Sequence, residues 1–184
     1  MALLDEARLF PPDTGTRAMA RDLYAQIRHL PIISPHGHTD PRWFAENTAF
    51  ANPAALFVTP DHYVFRMLHS QGVALEDLGV PRIDVGPVET DPRKFWRLFA
   101  KHYHLFRATP SQLWVDHAFQ EVFGVTQRLA AQNADAIYDQ IAERLAEDAF
   151  RPRALLDQFH IEAIATTESA LDELRWHKMI QDCD

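Results

Sequence analysis

The stretch that decides the fold reads Leu30-Pro31-Ile32-Ile33-Ser34-Pro35-His36-Gly37-His38. Its β-branched centre lies between turn-forming residues, which predicts a first strand over about residues 31–36. Side chains at i and i+2 of a strand point to the same side, so His36 and His38 could reach one metal ion. The carboxyl end of a strand is also where the active sites of (β/α)8 barrels lie. The spacing alone is weak evidence, because two unrelated polar residues in a strand-to-helix loop would give the same pattern.

A second strand is predicted over about residues 161–167, followed by a helix over about residues 169–181. Between the strands, residues 41–159 have the apolar spacing of helices. Two strands cannot form a sheet with two buried faces, so they belong either to a larger parallel barrel or to a mainly helical domain with one β pair. The strand-then-helix order near the end favours the barrel. We therefore expect an α/β fold in which residues 1–184 are the N-terminal part of one (β/α)8 TIM-type barrel domain. This part is mostly α-helical, with a large helical insertion between its first two strands.

Helix-start signals divide the helical segment. Five pairs place a capping residue directly before a proline: Asp40-Pro41, Asn52-Pro53, Thr59-Pro60, Asp91-Pro92 and Thr109-Pro110. The cap accepts a hydrogen bond from a free N–H group, and proline at the first helical position gives up only an N–H that would be unpaired anyway. Upstream, the apolar stripe of Met19, Leu23 and Ile27 predicts a helix of its own. Gly124 is a plausible helix stop.

Composition and charge restrict the kind of protein. The chain has 184 residues, of which 47% are hydrophobic, and a formal charge of -8, which argues against a nucleic-acid or anionic-membrane partner. Its single cysteine, Cys183, cannot form an internal disulfide, which is compatible with a reducing cytoplasm. Asp5 and Glu6 follow the start without the basic and apolar segments of a signal peptide, and no apolar run could span a bilayer. We expect a cytoplasmic protein.

A second group of candidate residues follows Pro60: Asp61, His62 and Tyr63, with Arg66 one turn later. A helix N-terminus offers N–H groups and positive potential, which suit a carboxylate substrate. His62 and Arg66 are four residues apart and share a helix face, and Tyr63 could donate or relay a proton. The alternative is that Asp61 only caps the helix, while Tyr63 packs in the core and Arg66 is solvated.

Other histidines and tryptophans give weaker signals. His102 and His104 lie in a helical pattern, where residues two apart diverge by about 200° around the axis, so we interpret them as surface and packing residues. His177 has no constellation around it in the sequence, and we expect a structural or surface role. Three tryptophans are expected in the core: Trp96, Trp114 and Trp176.

Four blocks of the sequence resemble, in order, those of the uronate isomerase family. They are residues 30–38 with Pro41 and 45–47; Asp61-His62-Tyr63 with Arg66-Met67 and Gly72-Val73; Trp114 with Phe123-Gly124-Val125; and 153–156 through Ile161, Thr166-Thr167-Glu168, Leu174 and His177. The blocks cover nearly all of the chain. Together they are far more specific than any one of them.

The resemblance implies an amidohydrolase-like barrel and an aldose–ketose isomerase of hexuronate catabolism. Such enzymes interconvert D-glucuronate with D-fructuronate and D-galacturonate with D-tagaturonate. Carried over by position, His36 and His38 would bind a divalent metal, usually zinc, and His62 and Tyr63 would act on the substrate, with Arg66 also substrate-binding. The small-molecule substrate would be a hexuronate, and a homo-oligomer is compatible with the family. The third metal ligand and the catalytic base would lie beyond residue 184, so we expect an incomplete chain.

Two other functions stay open at this point. One is a metal-dependent hydrolase of the amidohydrolase superfamily, since many of these enzymes share the early His-x-His. The Asp61-His62-Tyr63 block, which belongs to the isomerases, separates the two. The other is a non-catalytic helical fragment that serves at most as an interaction module.

Overall fold

The computed structural model describes residues 3–182, which form two compact units. The helical unit comprises residues 3–5 and 50–146, and the strand unit comprises residues 6–49 and 147–182. Cys183 lies outside the described residues, as do residues 1, 2 and 184. Among the described residues, every helix falls short of the length and apolar character that a bilayer span requires.

Two parallel strands form the sheet of the strand unit. β1 (Ile32–Ser34) pairs with β2 (Ile161–Ile164), with an irregular register between Ile32 and Ile33. The ladder ends where the Ala165 N–H donates to the Ser34 carbonyl at 2.8 Å. Both strands are shorter than expected: β1 ends at Ser34, before Pro35, and β2 ends at Ile164. Parallel pairing brings the carboxyl ends of β1 and β2 to the same edge.

Nine α-helices lie within the described residues. In chain order they are α1 (Thr14–Ile27), α2 (Pro41–Glu46), α3 (Pro53–Phe57), α4 (His62–His69), α5 (Pro92–His102), α6 (Pro110–His117), α7 (Ala134–Leu145), α8 (Pro152–Gln158) and α9 (Arg175–Gln181). A π-helical turn, Ala118–Val122, continues α6 and ends before Gly124, whose φ is +68°.

Four of the five cap–proline pairs begin helices as predicted. Asp40, Asn52, Asp91 and Thr109 each accept a backbone N–H at the start of α2, α3, α5 and α6, with proline in the first turn. The prediction from Thr59-Pro60 is wrong. There the carboxylate of Asp61 accepts from two N–H groups of α4, so the helix begins after Asp61 instead.

The last helix is shorter than the predicted range of about 169–181. Ser169 and Asp172 close a turn, in which the Ser169 N–H donates to the Asp172 carboxylate at 2.9 Å and the Asp172 N–H to the Ser169 carbonyl at 3.0 Å. Leu174 then adopts a left-handed conformation with φ of 52°, and α9 begins at Arg175. The turn makes hydrogen bonds that compete with helix formation.

The core of the helical unit is aromatic. Trp96 of α5 is fully buried, and its indole N–H donates to the Ala134 carbonyl at 2.8 Å. Its ring lies 5.8 Å from that of Phe99 and 5.9 Å from that of Phe119. Trp114, which was expected in the core, is 63% exposed. The apolar stripe of α1 (Met19, Leu23 and Ile27) is exposed as well.

Candidate functional site

His36 and His38 follow β1 directly, at the carboxyl edge of the two-stranded sheet. Their Nε2 atoms are 3.1 Å apart, and their rings meet edge to face with centroids 4.9 Å apart. Both side chains are exposed. The structure therefore brings the two predicted metal ligands together, with one nitrogen of each ring directed at the other.

The spacing of these nitrogens suits a shared metal ion. Two nitrogens at about 2.0–2.1 Å from a zinc ion, at a near-tetrahedral angle, lie about 3.1–3.4 Å apart. A hydrogen bond between two neutral imidazoles would give the same spacing. Among residues 3–182, no group of three or more His, Cys, Asp or Glu side chains converges. As zinc ligands, the pair would be two of the three protein ligands that a catalytic zinc site usually has.

Backbone contacts between the strand ends hold the histidine pair in place. The Thr167 hydroxyl donates to the Gly37 carbonyl at 2.7 Å, which ties the segment after β2 to the residue between the two histidines. A Cβ on Gly37 would lie 3.1 Å from the carbonyl oxygen of Ala165, which is closer than most Cβ contacts. Glycine therefore favours the close approach of the two segments.

A polar pocket of about 540 Å³ opens beside His38 in the strand unit. It is lined by the segments that follow both strands and by the start of α9. The lining residues include His38, Asp40, Thr167, Glu168, Arg175 and His177. A pocket of this volume is within the usual range for small-molecule sites.

Glu168 and His177 form the inner wall of this polar pocket. The His177 Nε2 lies 2.9 Å from the Thr166 hydroxyl and 3.6 Å from the Glu168 Oε1. The Glu168 Oε1 is itself buried. Sequence reasoning assigned His177 a structural or surface role and gave Glu168 no role. The sequence indicated these two residues only through the family-like block that contains both. Their contact could not be predicted, because it depends on where α9 packs.

Three predicted substrate-facing residues lie on α4 of the helical unit: His62, Tyr63 and Arg66. The rings of His62 and Tyr63 have centroids 4.2 Å apart, and all three side chains are exposed. The Asp61 carboxylate accepts from the Tyr63 N–H at 2.7 Å, so part of the helix N-terminus expected to meet a substrate carboxylate is already capped. Tyr63 does not pack in the core, since it is 56% exposed.

An apolar groove of about 570 Å³ lies beside these α4 residues. Tyr63, Arg66 and Met67 line one side, and Phe106 and the exposed Trp114 line the other. The groove therefore combines aromatic faces with one guanidinium group. That combination suits a ligand with a ring or carbon chain and an acidic group.

Sequence comparisons relate the chain to isomerases of sugar acids. The profile of a family described as glucuronate isomerase matches residues 14–184. A uronate isomerase of Mesorhizobium japonicum is 60% identical over 99% of this chain and 39% of its own length. A uronate isomerase of Rhizobium meliloti is 55% identical over 97% of this chain and 38% of its own length. The chain thus spans about two fifths of the length of these curated relatives.

Structural comparisons agree with the sequence matches. The crystal structure of glucuronate isomerase from Caulobacter crescentus superposes with a TM-score of 0.92 at 54% identity, over 99% of this chain and 38% of that one. A uronate isomerase from Thermotoga maritima, at 22% identity and a TM-score of 0.79, supports the fold alone. These matches confirm the expected fold class, a mostly helical part of an α/β barrel with few strands.

Proposed function

Because this chain belongs to the glucuronate isomerase family, we propose that it provides the metal-binding histidine pair and substrate-facing residues of a uronate isomerase. The reaction is the interconversion of D-glucuronate with D-fructuronate and of D-galacturonate with D-tagaturonate. The observation that carries the proposal is the 3.1 Å convergence of His36 and His38 beyond β1, in a chain 60% identical to a uronate isomerase.

His36 and His38 would hold a divalent metal, and zinc suits two imidazole nitrogens with this spacing. The remaining ligand would come from outside the described residues. When bound, such a cation supplies a Lewis acid that stabilises negative charge on a substrate oxygen. The chain's own contribution includes holding the backbone between the two histidines, through the Thr167 hydroxyl bond to the Gly37 carbonyl.

On the helical unit, His62, Tyr63 and Arg66 would contact the sugar acid. Arg66 carries a permanent positive charge beside an apolar groove and suits the substrate carboxylate. The phenol of Tyr63 is exposed and can donate or relay a proton, and His62 lies against it with ring centroids 4.2 Å apart. We also propose a cytoplasmic location, which suits the single cysteine of the sequence.

A chimera tests the function. Residues 14–184 of this chain replace the matching segment of the Caulobacter crescentus glucuronate isomerase, to which the chain is 54% identical. The chimera is assayed for isomerisation of D-glucuronate and D-galacturonate. We expect turnover of at least one of them, with no hydrolysis of D-glucurono-lactone. A folded, zinc-loaded chimera that hydrolyses the lactone and isomerises neither uronate would contradict the proposal in favour of a hydrolase.

A further inference from the structure

The loop that carries the histidine pair is tied down at few points. β1 ends at Ser34, so His36 and His38 lie outside the strand ladder. Within the described part of the chain, two side-chain hydrogen bonds reach the backbone of this loop. The Ser34 hydroxyl donates to the His36 carbonyl at 3.3 Å, and the Thr167 hydroxyl donates to the Gly37 carbonyl at 2.7 Å. Of these two, the second joins the loop to a distant part of the chain.

The orientation of the Gly37 carbonyl affects the direction of the His38 side chain. A peptide unit is planar, so the carbonyl of Gly37 and the Cα of His38 lie in one rigid plane. Glycine gives the backbone more conformational freedom beside that plane than any other residue. A hydrogen bond to this carbonyl therefore restrains a rotation that would swing His38 away from His36. The 3.1 Å approach of the two Nε2 atoms depends on that orientation.

The donor of this hydrogen bond, Thr167, is itself held from two sides. The Ala165 N–H donates to the Ser34 carbonyl at 2.8 Å and ties the same segment to β1. The hydroxyl of the adjacent Thr166 lies 2.9 Å from the His177 Nε2 of α9. Threonine is also stiff at its first side-chain torsion, because its Cβ is branched. The hydroxyl of Thr167 is thus fixed before it meets the loop, so its hydrogen bond costs little conformational entropy.

We propose that Thr167 is a positioning residue for the metal-binding pair. Its hydroxyl fixes the peptide unit that follows Gly37 and keeps the Nε2 atoms of His36 and His38 together before a metal ion binds. Thr167 acts through the backbone and contributes no ligand of its own. A site that is arranged in advance binds more tightly, because less freedom is lost on binding. The metal role of the histidines rests on the proposed function, whereas the positioning of their rings rests on the contacts alone.

The first measurement needs no metal. In the isotope-labelled 184-residue protein, nuclear Overhauser effects report whether the ring protons of His36 and His38 are close. We expect these effects in the unaltered protein, whose ring centroids are 4.9 Å apart, and in Thr167→Ser, which keeps the hydroxyl. Thr167→Val keeps nearly the same shape but removes the donor, and the effects between the rings should be lost. Thr39→Val makes the same change next to His38, at a hydroxyl without a hydrogen bond among residues 3–182, and should keep them.

The second measurement is zinc affinity. Zn²⁺ alone is titrated into each protein in competition with a zinc-binding dye, and the ring resonances of His36 and His38 identify the site. A neutral hydrogen bond is worth about a two- to tenfold change in an equilibrium constant, so Thr167→Val should raise the Kd for zinc by about that factor. Thr167→Ser and Thr39→Val should leave the Kd unchanged.

Thermal unfolding separates positioning from a purely structural role. A lower Tm of Thr167→Val, with effects between the rings and a zinc Kd equal to those of the unaltered protein, would overturn the proposal. Equal losses in Thr167→Val and Thr167→Ser would overturn it as well. If valine at this position prevents folding, Thr167→Ala removes the hydroxyl without placing a methyl group against the Gly37 carbonyl, and the same losses are expected of that variant.

The two measurements distinguish this proposal from the proposed function. If zinc moves the ring resonances of both histidines but neither measurement responds to Thr167→Val, the metal site stands and the role of Thr167 is overturned. If the effects between the rings depend on the Thr167 hydroxyl while zinc leaves both histidines unmoved, the positioning role is supported and the metal-binding part of the proposed function fails.

Discussion

The hydroxyl of Tyr103 stabilises a buried carboxylate in the helical unit, and removing it should weaken that unit. The hydroxyl donates to the Asp116 Oδ1 at 2.8 Å, and the Tyr103 and Asp116 residues are 1% and 2% exposed. Arg128 reaches the other carboxylate oxygen at 3.3 Å but is itself 55% exposed. Tyr103→Phe keeps the ring, which lies 5.3 Å from that of Phe99, and deletes only the donor.

The loss leaves one oxygen of Asp116 buried without its strongest donor. An unsatisfied buried acceptor costs about 1–3 kcal/mol, so Tyr103→Phe should lower the free energy of unfolding by that amount at pH 7. Urea denaturation measures the change as a lower midpoint at an unchanged m-value. An effect below about 0.5 kcal/mol would refute the importance of this hydrogen bond.

The pH dependence of the same variant gives a second test. Burial and the neighbouring charge of Asp116 raise the pKa of Tyr103 well above its ordinary value near 10. A pKa that is higher in the folded state means that the unfolded chain loses the proton first. The contribution of Tyr103 to stability is therefore complete below pH 10 and declines above it. The difference between the unaltered protein and Tyr103→Phe should shrink between pH 9 and pH 11, and a constant difference would contradict the assignment.

Three further predictions concern local structure. Gly37→Ala should destabilise the strand unit by about 1–3 kcal/mol in urea unfolding, because its Cβ would lie 3.1 Å from the Ala165 carbonyl oxygen. Asp61→Ala removes the cap of α4 and should cost about 1 kcal/mol, measured in the same way. The hydrogen bond from Lys94 lowers the pKa of Glu89 from its ordinary value near 4.5 to about 2. The ionised Glu89 therefore stabilises the folded state above pH 4.5, and this stabilisation is lost as the pH falls towards 2. Glu89→Gln should flatten the acid unfolding curve in that range.

Matched variants control these three predictions. Gly15→Ala introduces the same methyl group where the nearest atom is 3.6 Å away, and it should not destabilise the protein. Asp61→Asn retains a capping oxygen and should cost less than Asp61→Ala. Glu162→Gln, the same change at an exposed position of β2, should leave the acid limb unchanged. Equal effects of test and control variants would refute the corresponding local explanation.

Local signals in the sequence were sufficient for most helix starts and for the histidine pair. Asp40-Pro41 and Asp91-Pro92 begin helices because the cap and the missing N–H act within one turn. The i, i+2 spacing of His36 and His38 after an apolar strand indicated that the two rings could meet, although β1 ends at Ser34 and both histidines follow it in a loop.

Features that depend on distant contacts were missed. Trp114 was expected in the core because it is large and apolar, yet it lies at the surface beside the apolar groove. Glu168 and His177 are close in the sequence but meet only because α9 packs beside the segment that follows β2. A hydrogen bond to Gly37, 130 positions away in the sequence, ties that segment to the strand edge, and periodicity does not encode such packing.

The most direct test compares the two His-x-His pairs in the chimera with the Caulobacter crescentus enzyme. His36→Ala/His38→Ala removes the pair whose nitrogens converge at 3.1 Å, and His102→Ala/His104→Ala removes the pair whose ring centroids lie 6.4 Å apart on the helical unit. Bound zinc is measured by mass spectrometry alongside turnover of D-glucuronate. We predict that only the first double variant loses its zinc and its activity. Unchanged zinc content and turnover in that variant would contradict the assignment of His36 and His38 as the metal ligands.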